Sequence, residues 1–166
     1  MTELSSRKEK VKRWFRDGHN CTFFAILVLA FALRIYYLSV NSAVWWDEAD
    51  YLSSAKHWFF NVPYDYNPQR GVLFPLLIGL LFKLSATEAV TKFFVVLLPS
   101  LGIVVLTFFL GKEMYNKSVG LIASSLMSVF WVSLFWTARF SNDFFGVVFS
   151  VVCGVLFLGG FCEEEV

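Results

Sequence analysis

Three carboxylates fall close together in Trp45-Trp46-Asp47-Glu48-Ala49-Asp50-Tyr51, directly after the first long apolar run of the chain. Acids at the edge of an apolar segment are costly unless they face water, a cation or a polar headgroup. On a helix starting near Asp47, Asp50 and Tyr51 follow three and four positions later, so these three share one face and Glu48 turns away. Crowded carboxylates raise one another's pKa or capture a cation. Either outcome suits a reaction in which an acceptor hydroxyl gives its proton to a positioned base while a phosphate leaving group departs. A second acid, Asp143, closes the motif Arg139-Phe140-Ser141-Asn142-Asp143. A divalent cation bridging Asp47 and Asp143 would meet phosphate charge through the oxygen ligands that hard cations prefer. The competing reading is structural: Asp47 caps a surface helix, and Asp143 with Ser141 and Asn142 caps a later one.

The elements that must position these groups are membrane helices. Apolar residues make up 57% of the 166 positions and charged residues 16%, and the mean hydropathy is +0.62, so a polytopic membrane protein is expected rather than a soluble domain. The basic residues gather at the N-terminus instead of forming a face that tracks phosphates, which argues against nucleic acid as a partner. Arg7, Lys8, Lys10, Lys12, Arg13 and Arg16 outnumber Glu3, Glu9 and Asp17 there, so residues 1–20 form a cytoplasmic basic head and the first helix is an uncleaved anchor running outward. Cys21, Cys153 and Cys162 show no metal-ligand spacing and are expected as small packing residues.

Apolar stretches run from Cys21 to Val40, Gly71 to Leu84, Phe93 to Leu110, Val119 to Thr137 and Phe144 to Phe161. The second spans only about 20 Å at about 1.5 Å per residue, against a hydrocarbon core of about 30 Å. It also contains Pro75 and is bounded by Arg70 and Lys83, so a re-entrant or interfacial helix is expected. Four crossings then remain, within a transmembrane module over residues 21–161. That arrangement puts Lys112 and Lys117 on the side of the basic head and brings Asp143 to the side of Asp47. Five crossings would separate the two acids. The outer loop, residues 41–92, is expected to hold a short amphipathic surface helix with Leu52, Ala55 and Phe59 at helical spacing, ended near Asn61-Val62-Pro63. Arg34, near the outer end of the first helix, either snorkels to the interface or meets a loop acid. Tyr36, Tyr37, Trp45 and Trp46 read as an interfacial aromatic belt.

This order of features resembles the GT-C superfamily of glycosyltransferases, in the branch of protein O-mannosyltransferases and aminoarabinose transferases. The matching residues are Arg34 in Leu33-Arg34-Ile35-Tyr36, the Asp47-Glu48 pair followed by Tyr51, Arg70-Gly71-Val72-Leu73-Phe74-Pro75, the turn Gly111-Lys112-Glu113-Met114-Tyr115, and Arg139 to Asp143. The resemblance implies an all-α, polytopic membrane enzyme of the plasma or endoplasmic reticulum type membrane. It would transfer a sugar from a polyprenyl-phosphate-linked donor to a hydroxyl acceptor at the extracytoplasmic face. By position, Asp47, Glu48 and Asp143 become the catalytic acids, and Tyr51, Arg70 and Arg139 the substrate contacts. The cofactor implied is a divalent cation, magnesium or manganese, on Asp47 and Asp143. Members of the superfamily usually carry more crossings, whereas this chain reaches the acidic tail at residues 162–166 after the fourth. A partner membrane chain completing the fold is therefore expected, and the alternative is a non-enzymatic small membrane subunit or truncated relative that binds a larger membrane protein.

Overall fold

The computed structural model describes residues 18–40, 44–64 and 70–163, with side chains to residue 156. Residues 1–17 of the basic head, the Asp65-Tyr66-Asn67-Pro68 turn and the last three residues of the acidic tail lie outside the described residues. Among the described residues every regular element is helical: α1 Gly18–Val40, α2 Trp46–Phe60, α3 Leu73–Lys83, α4 Glu88–Met114, α5 Lys117–Val129, α6 Trp131–Trp136 and α7 Asp143–Glu163.

Two of these helices, α1 with 23 residues and α4 with 27, are long and apolar enough to cross a membrane. At about 1.5 Å per residue they reach about 35 and 40 Å, beyond a hydrocarbon core of about 30 Å. Helix α3 has 11 residues and reaches about 16 Å, short of that core as its sequence suggested. Pro75 sits in its first turn, where the missing N–H has no intrahelical partner to lose.

The expected continuous crossing over Val119 to Thr137 is corrected: it is two helices, broken at Phe130, whose ψ of 111° is extended. The run Val129-Phe130-Trp131-Val132 is β-branched and aromatic throughout, which weakens helix continuation there. Helix α4 also starts earlier than the apolar run, with Thr87 accepting the Val90 N–H at 3.3 Å as its cap. It widens into a π-helical turn over Phe93–Leu97 just before Pro99. One extra residue in that turn makes room for the proline ring, which cannot accept standard helical packing against the preceding turn.

Arg34 neither snorkels nor meets an acid. It is fully buried, and its five donor contacts all go to neutral groups on three other elements or on its own helix. Nε donates to Ser100 Oγ at 2.7 Å, Nη1 to the Ala30 carbonyl at 3.1 Å and the Ser128 carbonyl at 3.3 Å, and Nη2 to the Ser100 carbonyl at 3.3 Å and Ser133 Oγ at 3.2 Å. The Ser128 carbonyl lies in the last turn of α5, where the break at Phe130 removes intrahelical donors, so Arg34 caps that end. Ser100 Oγ is also 2.9 Å from Thr137 Oγ1. The guanidinium thereby fastens α1, α4, α5 and α6 at one point, directly before the turn that carries Arg139 and Asp143.

Helices α4 and α5 meet closely at Gly111 and Gly120. A Cβ on Gly120 would lie 2.5 Å from the Phe108 carbonyl oxygen, and one on Gly111 would lie 2.9 Å from Gly120 Cα. The main core gathers Tyr51 and Ala55 of α2, Phe74 and Ile78 of α3, Val95, Val96 and Ile103 of α4, Phe140, and Phe144 of α7. Tyr51 adjoins Asp50, and Phe144 adjoins Asp143, so one apolar cluster anchors both acidic motifs. Cys21 and Cys153, expected as packing residues, face outward instead.

Candidate functional site

Helix α2 begins two residues earlier than a cap at Asp47 would give. Trp45 is its N-cap and makes no side-chain cap bond, so Asp47 is a first-turn residue rather than the cap. Two acids in that turn still favour the helix through its macrodipole. The helix ends at Asn61 in the left-handed conformation, with φ of 53°, and His57 Nδ1 lies 2.9 Å from the Val62 carbonyl. His57 is thus part of the helix end.

The shared face forms as its spacing required. Arg70, just before α3, donates from Nη2 to Asp47 Oδ1 and from Nε to Asp50 Oδ2, the latter at 3.3 Å. Tyr64 donates its hydroxyl to Asp50 Oδ1 at 2.9 Å. The Arg70 guanidinium lies 5.9 Å from the centre of the Tyr51 ring. Tyr51 itself is buried and packs edge-on against Phe74, with ring centres 5.1 Å apart. Burial raises its phenol above the ordinary value, Arg70 opposes this, and the charges of Asp47 and Asp143 push it further up. The two acidic motifs are tied to one core cluster, through Tyr51 beside Asp50 and Phe144 beside Asp143.

Glu48 turns away from that face, but into the protein. It is 2% exposed, and its Oε1 lies 3.2 Å from Lys92 Nζ at the head of α4. Lys92 also reaches Glu88 at 3.4 Å and stands 5.1 Å above the Phe140 ring. Beside them Thr91 Oγ1 is buried without a hydrogen-bond partner. Arg139 stacks over Trp45 at 4.0 Å and Phe135 at 4.7 Å, so Trp45 is partly withdrawn from the aromatic belt. Burial lowers the Arg139 pKa and the charge of Glu48 opposes the change. Asp143 is exposed; Ser141 Oγ donates to its Oδ2 at 2.7 Å and accepts its backbone N–H at 3.2 Å. Asn142 starts α7, its carbonyl accepting from Phe145 and Gly146.

The six expected residues thus sort into three groups. Asp47, Tyr51 and Arg70 come together, Asp143 is exposed and tied to them only through the core that Phe144 and Tyr51 share, and Glu48 and Arg139 are buried. Lys92, Glu88, Tyr64 and Thr91 were missed by sequence reasoning. The Glu88/Lys92 spacing of four, ahead of an apolar run, is the one signal that pointed to a pair there.

An apolar cleft of about 380 Å³ is lined by Gly71, Leu73, Phe74, Leu77, Asn142, Phe145, Gly146 and Phe149. Gly71 adjoins Arg70 and Asn142 adjoins Asp143 in the chain, and the lining itself is apolar apart from Asn142. Among the described residues no three His, Cys, Asp or Glu side chains form a metal-ligand cluster. Asp47, expected with Asp143 as a cation ligand, is paired with Arg70, and Asp143 is bonded to Ser141. No protein-family model, curated protein or solved structure matches the chain.

Proposed function

We propose that the chain is a polytopic membrane glycosyltransferase, or a module of one, that moves a sugar from a polyprenyl-phosphate donor to a hydroxyl acceptor. The observation that carries this reading is an apolar cleft between α3 and α7 whose lining residues Gly71 and Asn142 stand next in the chain to Arg70 and Asp143. An amphiphile with a phosphate head and a hydrocarbon tail matches both surfaces at once, whereas a water-soluble sugar nucleotide has no use for the cleft. In this reading α1, α4, the α5–α6 pair and α7 make four crossings. Helices α2 and α3 then lie at the extracytoplasmic surface, and the N-terminus is cytoplasmic.

Asp47 is the base that takes the acceptor proton, being the most exposed acid of the shared face. Arg70 binds the phosphate through charge-assisted, two-pronged hydrogen bonds. Tyr51, a phenol and so protonated at neutral pH, donates its hydroxyl there. Asp143 supports the site from α7. A divalent cation on Asp47 and Asp143 would neutralise charge on the departing phosphate. Glu48 positions α2 through Lys92, and Arg139 holds Trp45 in place behind the site.

The test is transfer of labelled sugar from a polyprenyl phosphate by the full chain, with any partner chain, in proteoliposomes. Asp47→Asn is expected to remove transfer while insertion and folding persist; transfer at the wild-type rate overturns the assignment. A second reading is favoured by one observation: Asp47, Asp50 and Glu48 are each engaged by a cation within the chain. A non-enzymatic subunit would use the acids in this way. Stoichiometric co-purification with a larger membrane protein, and complexes inert in transfer, would favour it.

A further inference from the structure

Resting on the reading above, we infer that Arg70 is an exchangeable counter-ion that holds Asp47 until a phosphate headgroup takes the guanidinium, so that headgroup arrival releases the base. Asp47 and Asp50 together occupy Nη2 and Nε. Those two nitrogens form the side-on edge across which a guanidinium makes paired bonds to a phosphate. A phosphate docking there displaces the carboxylates from it. Charge points the same way: two carboxylates on one guanidinium already leave an excess negative charge, and a phosphate adds more. One acid must withdraw.

Asp47 is the acid that leaves. Its side chain is 52% exposed against 27% for Asp50, and Asp50 keeps a second partner in the Tyr64 hydroxyl. Withdrawal turns Asp47, already half exposed, fully toward water, where an acceptor hydroxyl arrives. Asp50 and Tyr64 stay in place and keep the start of α2 oriented. The base is thus shielded by its own counter-ion until the headgroup is seated, and the same guanidinium serves both partners in turn.

The exchange makes an unusual demand on binding: removing the acid that competes for Arg70 tightens the phosphate. The experiment is calorimetric titration of the full chain in lipid nanodiscs, with chelator present, using geranyl phosphate and, separately, inorganic phosphate. Asp47→Asn is expected to bind geranyl phosphate about three- to tenfold more tightly than wild type, the order of a partly exposed ion pair. Glu88→Gln, which removes equal charge from an exposed acid that pairs with Lys92 and not with Arg70, should change affinity less than about twofold. Arg70→Gln should abolish binding. A misfolded Asp47→Asn chain cannot imitate tighter binding.

If Asp47→Asn leaves Arg70-dependent binding unchanged or weaker, the exchange is overturned while the headgroup reading stands. Equal tightening by Asp47→Asn and Glu88→Gln also overturns it, since the effect is then general repulsion. No binding of either probe to wild type or variants overturns both the exchange and the proposed function. Equal affinity for inorganic and geranyl phosphate, with the Asp47→Asn gain preserved, supports the exchange and assigns it to free phosphate.

Discussion

Arg34→Lys is the substitution that interrogates the fold most sharply, because it keeps the charge and removes the fork. Arg34 makes five donor contacts inside the bundle, and none of its partners is an acid. An ammonium has three donors, so at least two acceptors lose their partner. Ser133 has a hydroxyl that can turn, and the Ser100 hydroxyl keeps its contact with Thr137. The carbonyls of Ser100 and Ser128 have less freedom. At about 1–3 kcal/mol for each buried group left unpaired, the cost is about 2–6 kcal/mol, lowered where the unfolded chain finds partners within lipid. We expect about 2–3 kcal/mol after that reduction. Reversible unfolding in mixed micelles, followed by the fluorescence of Trp131 and Trp136 on α6, measures it. Ser128 contributes only its carbonyl to Arg34, so Ser128→Ala should leave this contact intact, whereas Ser100→Ala and Arg34→Lys should couple non-additively. An Arg34→Lys chain within about 0.5 kcal/mol of wild type would refute the idea that the guanidinium fastens four helices.

Other outcomes follow from single distances. Gly120→Ala forces a methyl against the Phe108 carbonyl and should cost about 1–3 kcal/mol in the same unfolding measurement. Gly102→Ala meets nothing within 4 Å and should stabilise α4 by up to about 1 kcal/mol. Glu48→Gln leaves Lys92 without its buried acid and should loosen α2 from α4, read as faster hydrogen exchange along residues 46–55 than in Asp47→Asn. For Tyr51 the folded pKa is raised, so the stability it lends is present below the unfolded phenol value of about 10 and is lost as pH rises through the folded value. Tyr51→Phe should remove that alkaline loss, seen by comparing denaturant midpoints on either side of it. An impermeant maleimide should reach Asp143→Cys from outside and Tyr115→Cys only from inside in a background lacking the native cysteines. The reverse pattern would contradict the four-crossing reading.

Local periodicity carried a large share of the fold. The spacing of Asp47, Asp50 and Tyr51 required one helical face, and Arg70 bridges that face. The short apolar stretch with Pro75 announced a helix too short to cross, which α3 is. The asparagine at 61 and the proline at 63 marked the end of α2. Long-range pairing was less legible, since no local pattern says that Ser100, Ser128 and Ser133 converge on Arg34 from other helices. Three serines in apolar runs read as small contact residues until a donor is placed among them. Phe130 gave no break signal of the usual kind, having neither Pro nor Gly beside it, and the freed carbonyl of Ser128 is satisfied only through tertiary contact. Glu48 and Arg139 were legible as charged residues near the acidic motifs, yet whether each pointed outward or into the packing depended on α4 and Trp45.

Under the proposed function, Arg70 and the apolar cleft receive one molecule, with its phosphate at Arg70 and its chain between α3 and α7. Photolabelling of the full chain in nanodiscs with a prenyl phosphate carrying a diazirine on its hydrocarbon tail tests this directly. The account predicts adducts on residues 73–77 and 145–149, competed by unlabelled prenyl phosphate and lost in Arg70→Gln. Adducts spread over the lipid-facing surfaces of α1 and α4, or adducts in the cleft that persist in Arg70→Gln, would contradict it.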